Sequence, residues 1–159
     1  MKKFIRSFLW TVFILYSYVV FSLLLFGRGI VTDESVWKHI ATTTNLIPFK
    51  TIGQFVRQYI DGFLRGVAIR NLGGNFFLLF PIGILLPCLF PRCNRLWKVT
   101  LGMTAFILLA EAIQGFLRIG FIDIDDILLN VVGGVAGYGL IAIPPIKRWL
   151  MKVGILQEY

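Results

Sequence analysis

Charge is absent from four long stretches of this chain, and that feature decides what it can fold into. Between Arg6 and Arg28 lie 21 uncharged residues, Ser7 to Gly27, and between Arg70 and Arg92 another 21, Asn71 to Pro91. Between Lys98 and Arg118 lie 19, broken once by Glu111, and between Asp126 and Lys147 lie 20, Ile127 to Ile146. About 20 predominantly apolar residues in a helix cross the ~30 Å hydrocarbon core of a bilayer. Lipid offers the backbone no hydrogen-bond partners, so each stretch must satisfy its own peptide groups as a helix. With 57% hydrophobic residues, 15% charged residues and a mean hydropathy of +0.80, an ordinary soluble globule is excluded. The expected fold is all-α: an integral membrane four-helix bundle in a single domain, 1–159, with helices over about 7–27, 71–91, 99–119 and 127–146.

The first stretch follows Lys2, Lys3 and Arg6, as a secretory signal would. Its apolar part exceeds the usual 7–15 residues of such signals. The only small-x-small triplet at its end, Gly27-Arg28-Gly29, matches a cleavage site poorly. An uncleaved first helix is therefore expected.

The net charge of +8 suits membrane flanks better than a nucleic-acid surface in so apolar a chain. Nine of the 16 bases (Lys2, Lys3, Arg6, Arg92, Arg95, Lys98, Lys147, Arg148, Lys152) fall in three segments that four spans place on one side. The positive-inside rule makes that side cytoplasmic. The expectation is a multi-pass protein of the bacterial cytoplasmic membrane with both termini inside. Six further bases, Arg28, Lys38, Lys50, Arg57, Arg65 and Arg70, are spread through the first outer loop among Asp33, Glu34 and Asp61. Seven of the eight acids lie outward, and only Glu158 lies inward. Two cysteines, Cys88 and Cys93, make no disulfide framework.

Within the first outer loop, Phe49, Ile52, Val56, Tyr59, Phe63 and Val67 recur every three or four residues. Lys50, Gln54, Arg57, Gln58, Asp61 and Arg65 fill the other face. That period predicts an amphipathic helix over about 49–68, lying in the membrane interface, with Asp61 and Arg65 paired one turn apart. It either covers the bundle or contacts lipid. The preceding Thr42-Thr43-Thr44-Asn45 reads as polar loop, and the single histidine, His39, as a solvated loop residue.

Polar groups inside spans usually face the bundle interior and mark function. Asn71 and Asn75 share a face of span two. Glu111, Gln114 and Arg118 share one of span three. Asp126 and Asn130 share one of span four, continued by Gly133 and Gly137. The topology brings these amides, carboxylates and the guanidinium to similar depths near the outer ends. Asn71 and Asp126 are also candidate N-caps, and Gly133-Gly134-Val135-Ala136-Gly137 offers a surface for close helix packing. Pro81 interrupts the hydrogen bonding of span two.

A lone loop histidine gives no nucleophilic triad. Asp123, Asp125 and Asp126 are oxygen ligands of the kind that hold a divalent cation, though three carboxylates alone make a weak metal motif. The ligand-binding candidates are therefore Asn71, Asn75, Glu111, Gln114, Arg118, Asp123, Asp125, Asp126 and Asn130. The catalytic candidate is Glu111, as an acid/base. Recognition chemistry is better represented than an activated nucleophile, so a binder is expected rather than an enzyme.

Several blocks occur in one order: Asn45-Leu46-Ile47-Pro48-Phe49, Asn71-x3-Asn75, Phe80-Pro81-Ile82-Gly83, Glu111-Ala112-Ile113-Gln114, Arg118, Asp123-Ile124-Asp125-Asp126, and Asn130 with Gly133, Gly134, Gly137 and Tyr138. In this the chain, over roughly Asn45 to Tyr138, resembles the VanZ-like membrane proteins. The resemblance implies lowered sensitivity to teicoplanin-type lipoglycopeptides, which carry an acyl tail and act on lipid-linked cell-wall precursors. It implies no cofactor and no reaction. Expected partners are membrane lipid, lipoglycopeptide or a lipid-linked cell-wall precursor, and not nucleic acid. In the binding reading Arg118 meets an anionic group and Asn71, Asn75 and Asn130 hydrogen-bond sugar or amide. The alternative is metal-assisted modification of a lipid, with Glu111 as acid/base and the three aspartates on the metal.

Overall fold

A chain whose apolar stretches alternate with charged connections folds back and forth across a bilayer. The computed structural model, which describes residues 2–26, 35–62 and 64–156, does so. The Gly27-Arg28-Gly29 triplet, Asp33, Glu34, Phe63 and Glu158 lie outside the described residues. The long apolar helices are α1 (Lys2–Phe26), α4 (Arg65–Leu89), α5 (Leu96–Leu117) and α6 (Ile124–Ala142). All four are long and apolar enough to span a membrane, and the protein is an all-α, multi-pass membrane bundle. Two shorter helices, α2 (Val36–Thr43) and α3 (Lys50–Ile60), sit between α1 and α4, and α7 (Pro144–Lys152) follows α6. A 3-10 turn, Pro91–Cys93, links α4 to α5. Among the described residues there is no strand, only an isolated parallel bridge between Asn45 and Asp123.

The side-chain distribution is that of a lipid-facing bundle. Phe77, Leu101, Leu109 and Phe116 are exposed on the spans, whereas Glu111, Gln114, Asp125, Asp126 and Asn130 are buried. Lipid solvates the first group and not the second.

The tightest seam joins α4 to α6. A Cβ at Gly133 would strike the Phe76 carbonyl, one at Gly137 the Phe80 carbonyl, and one at Gly83 the Gly134 carbonyl. Backbone meets backbone here, so only glycine fits, and the glycine run of span four packs as its composition suggested. Dispersion and weak Cα–H···O contacts hold such a seam in lipid, where apolar burial brings no gain.

Pro81 lies inside α4. Without an N–H it leaves the Phe77 carbonyl, four residues back, without its helical donor. The Tyr16 hydroxyl of α1 supplies one, at 3.3 Å from the Phe77 oxygen and 3.0 Å from the Leu78 oxygen. A proline in one span thus defines where another docks.

Several local expectations are corrected. The amphipathic segment is not one helix. Gly62 at φ +79° and Leu64 at φ +59° turn the chain between α3 and α4. Asp61 therefore caps α3, while Arg65 opens α4 and donates to the Tyr59 carbonyl at 3.0 Å instead of lying one helical turn from Asp61. Asn71 is not a cap, because α4 already begins at Arg65. Of the expected polar loop, Thr42 and Thr43 belong to α2, and Thr44 is its extended C-cap. Their hydroxyls donate to the carbonyls of Lys38, His39 and Ile40 at 2.9, 2.7 and 2.5 Å, closing the last turn of α2. The last apolar stretch is split, since Pro144 and Pro145 end α6 at Ala142 and start the basic helix α7.

The glycine seam gives a direct expectation. Gly137→Ala forces α4 and α6 apart and lowers stability by about 1–3 kcal/mol, the usual cost of overpacking. Gly139→Ala, where a Cβ meets nothing within 4 Å, leaves it unchanged or higher. Thermal unfolding of the two variants in detergent checks the contrast.

Candidate functional site

The end of the bundle that holds α2, α3 and the α5–α6 loop gathers nearly all the polar residues singled out above. It is organised by the start of α6. Asp123 is the N-cap of that helix and accepts from the Asp125 N–H at 2.9 Å, so the expected cap, Asp126, lies instead in the first turn. Asp125 and Asp126 fill the first turn, where the helix dipole favours carboxylate.

Asp125 is fully buried and faces α3. Its Oδ1 accepts the Phe49 N–H at 2.6 Å, and its Oδ2 accepts the N–H groups of Thr51 at 2.8 Å and Ile52 at 3.1 Å. Those are orphan donors of the first turn of α3, which has no side-chain cap of its own. One carboxylate from α6 thus caps a helix more than 70 residues earlier in the chain. Phe49 adopts the left-handed conformation, φ 64°, next to this contact, a strain that a bulky residue accepts only where its surroundings enforce it. Asp123 completes the clamp. Its Oδ2 accepts the Thr51 hydroxyl at 2.6 Å and its Oδ1 the Asn45 amide at 3.1 Å. The Asn45 backbone exchanges hydrogen bonds with Ile122 at 2.7 Å and Ile124 at 3.0 Å.

Deeper in, Asn75 of α4 donates to Asp126, and Asn130 donates to the Asp126 carbonyl at 2.8 Å. Glu111 of α5 is 2% exposed and accepts the Asp123 N–H at 3.3 Å. Gln114 donates to the Leu24 carbonyl of α1 and sits beneath Gly120. Arg118 is half-buried and ends α5 in the left-handed conformation, φ 59°. Among the described residues three buried amide oxygens, Gln58 Oε1 of α3, Gln114 Oε1 and Asn130 Oδ1, have no hydrogen-bond partner.

The structure thus brings Asn75, Glu111, Asp123, Asp125, Asp126 and Asn130 into one connected network, with Gln114 and Arg118 at its edge. Asn71 stands apart, donating to the Val67 carbonyl of its own helix at 3.0 Å. Three participants were not among the candidates. Asn45 belongs to one block of the family resemblance, and Thr51 carries no signal in the sequence. His39 was read as solvated but is buried on α2, with Nε2 2.9 Å from the Gly120 carbonyl.

For a divalent cation the oxygens are poorly disposed. All four carboxylate oxygens of Asp123 and Asp125 already accept hydrogen bonds from the polypeptide. Among the described residues no group of three or more His, Cys, Asp or Glu side chains is arranged to hold a metal.

The same clamp orients α3. Thr51, Ile52, Phe55 and Gln58 lie against the bundle. Val56 and Ile60 form an exposed apolar edge beside Tyr59, while Lys50, Gln54 and Arg57 form an exposed polar edge. The expected apolar stripe therefore only partly faces the bundle; its outer part extends into an apolar surface with Leu46, Ile47 and Phe49, 69%, 61% and 68% exposed. A tethered helix with one apolar and one basic edge has the amphipathic pattern of an interfacial helix.

The sequence matches the VanZ/LLP1 family over residues 13–146. Among characterised proteins it is 34% identical over 113 residues to "Protein VanZ" of Enterococcus faecium, a stretch covering 67% of this chain and 58% of that protein. The chain therefore spans little more than half of that relative's length. No solved structure matches it.

The clamp carries its own test. Asp125→Ala orphans the Phe49, Thr51 and Ile52 donors, each costing about 1–3 kcal/mol if left buried. Hydrogen exchange at the first turn of α3 should then rise by orders of magnitude, while the amides of the α4–α6 seam stay protected.

Proposed function

The chain belongs to the VanZ/LLP1 family, and from that premise we propose that it lowers sensitivity to teicoplanin-type lipoglycopeptides by binding at the outer membrane surface. The observation that carries this reading is the clamped α3, whose apolar edge continues into Leu46, Ile47 and Phe49. That surface takes hydrocarbon: the acyl tail of the drug or the lipid portion of a cell-wall precursor. Each such side chain fully inserted contributes about 1.5–3 kcal/mol. Lys50 and Arg57 on the other edge suit the anionic groups of either ligand.

Behind this surface, the buried network fixes the angle of α3. Its unpartnered acceptors, Gln114 Oε1 and Asn130 Oδ1, suit the amide or hydroxyl donors of a ligand or of water. Placing this end outside, with both termini in the cytoplasm, is supported by the opposite end, where Lys3, Arg6, Arg92, Arg95, Lys98, Lys147, Arg148 and Lys152 gather. Binding is favoured over metal-assisted lipid chemistry because the oxygens of Asp123 and Asp125 serve peptide and side-chain donors.

The test expresses the chain and two variants in a teicoplanin-sensitive host at matched membrane levels. Val56→Ser with Ile60→Ser should restore susceptibility several-fold, and Asp125→Ala should do the same by releasing α3. Sensitivity to a glycopeptide without an acyl tail should not change. Equal resistance in all three strains sinks the proposal. A chemically altered lipid appearing when the purified protein meets cell-wall lipids returns the function to an enzyme.

A further inference from the structure

A large cavity lies away from the polar end. A space of about 680 Å³ opens among α1, α4 and α5 toward the opposite, basic end. Phe13 and Phe21 of α1, Leu79 and Leu86 of α4, and Gly102 and Phe106 of α5 line it. Tyr18, 71% exposed, and Phe106, 42% exposed, stand in its wall, so it opens sideways through the bundle surface. Its size falls within the ~300–1,000 Å³ range of small-molecule pockets.

Such a space cannot stand empty in a bilayer. An unfilled void forfeits the dispersion contacts of its walls. Water does not compensate, because a water needs two to four polar partners and these walls are apolar. Hydrocarbon is the one filler that the surroundings supply in excess. From Lys98 to Phe106 the cavity runs about 12 Å along α5, at 1.5 Å per residue. That is most of one leaflet of a ~30 Å core.

The rim of the cavity selects among lipids. Cys93 and Lys98 lie at its basic end. Lys98 donates to the Arg92 carbonyl at 2.9 Å and lies 5.6 Å from the Trp97 ring centre, which holds its ammonium at the mouth. Arg92 and Arg95 precede it in sequence, and Lys3 and Arg6 line a second cavity of about 200 Å³ with Cys88 and Pro91 in its wall. Every described carboxylate side chain (Asp61, Glu111, Asp123, Asp125 and Asp126) belongs to the other end. An apolar slot with an uncompensated cationic mouth complements one ligand chemistry: a hydrocarbon chain bearing an anionic head group.

We propose that the α1/α4/α5 cavity is a site for an anionic phospholipid, with one acyl chain in the slot and the phosphate at Lys98. The site is independent of the α3 surface and lies in the opposite leaflet. It uses none of the residues proposed for the response to lipoglycopeptide.

The experiment is native mass spectrometry of the chain in detergent, supplied with phosphatidylglycerol or phosphatidylcholine. One phosphatidylglycerol is expected to remain bound. Lys98→Gln should reduce its preference over phosphatidylcholine about fivefold, the ratio one membrane-facing charge contributes. Gly102→Leu should abolish retention by filling the slot. A Cβ at Gly102 meets nothing within 4 Å, and leucine favours helix over glycine, so that variant folds. A phosphatidylglycerol carrying a photoreactive group in its acyl chain should label α1 and α5 of the unaltered chain. Equal retention by the original chain and Gly102→Leu, or labelling confined to α2 and α3, overturns the proposal. Displacement of phosphatidylglycerol by a stoichiometric polyprenyl phosphate overturns the phospholipid assignment.

Discussion

Lipid supplies no hydrogen bonds, and the polar groups of this bundle are gathered at one end largely to meet that constraint. The backbone meets it by helix formation, and the side chains meet it by pairing across helices. The start of α6 is where the two solutions join. Asp123 caps its own helix, Asp125 caps α3, and Asp126 receives Asn75 from α4. These three neighbouring residues connect α6 to itself, to an interfacial helix and to a neighbouring span. Charge-assisted bonds of this kind are worth about 1.5–3 kcal/mol each. Without them the polar end would expose carboxylates to hydrocarbon and leave α3 without a fixed direction.

The same constraint explains what could be read from the sequence. The four spans were legible because charged residues are excluded from hydrocarbon, and that exclusion is written directly in residue types. The polar stripes were legible because residues one helical turn apart share a face, as Asp126 and Asn130 do through the Asp126 carbonyl. The α4–α6 seam was legible from glycine alone, since only glycine permits that approach.

The contacts that were not legible join distant segments through the backbone. The Asp125 bonds to Phe49, Thr51 and Ile52 end on peptide N–H groups, and every residue except proline has one. Nothing in those residue types announces the contact. His39 looked solvated because its partner is the Gly120 carbonyl, 81 residues away. The turn at Gly62 and Leu64, which splits the amphipathic period, was hidden because leucine rarely adopts positive φ. Pro144-Pro145 did carry a stop signal for α6, but the uncharged stretch ran past it to Ile146.

The bond between Glu111 and the Asp123 N–H bears on how the chain enters a membrane. A buried carboxylate within α5 opposes insertion of that helix alone. One partner, the Asp123 N–H at the N-cap of α6, lies 12 residues downstream. Integration of α5 is therefore coupled to arrival of α6, and the two are best inserted together as a hairpin. Asn75 of α4, already in place, then receives Asp126. The order of helices along the chain is thus also an order in which each costly group finds its partner.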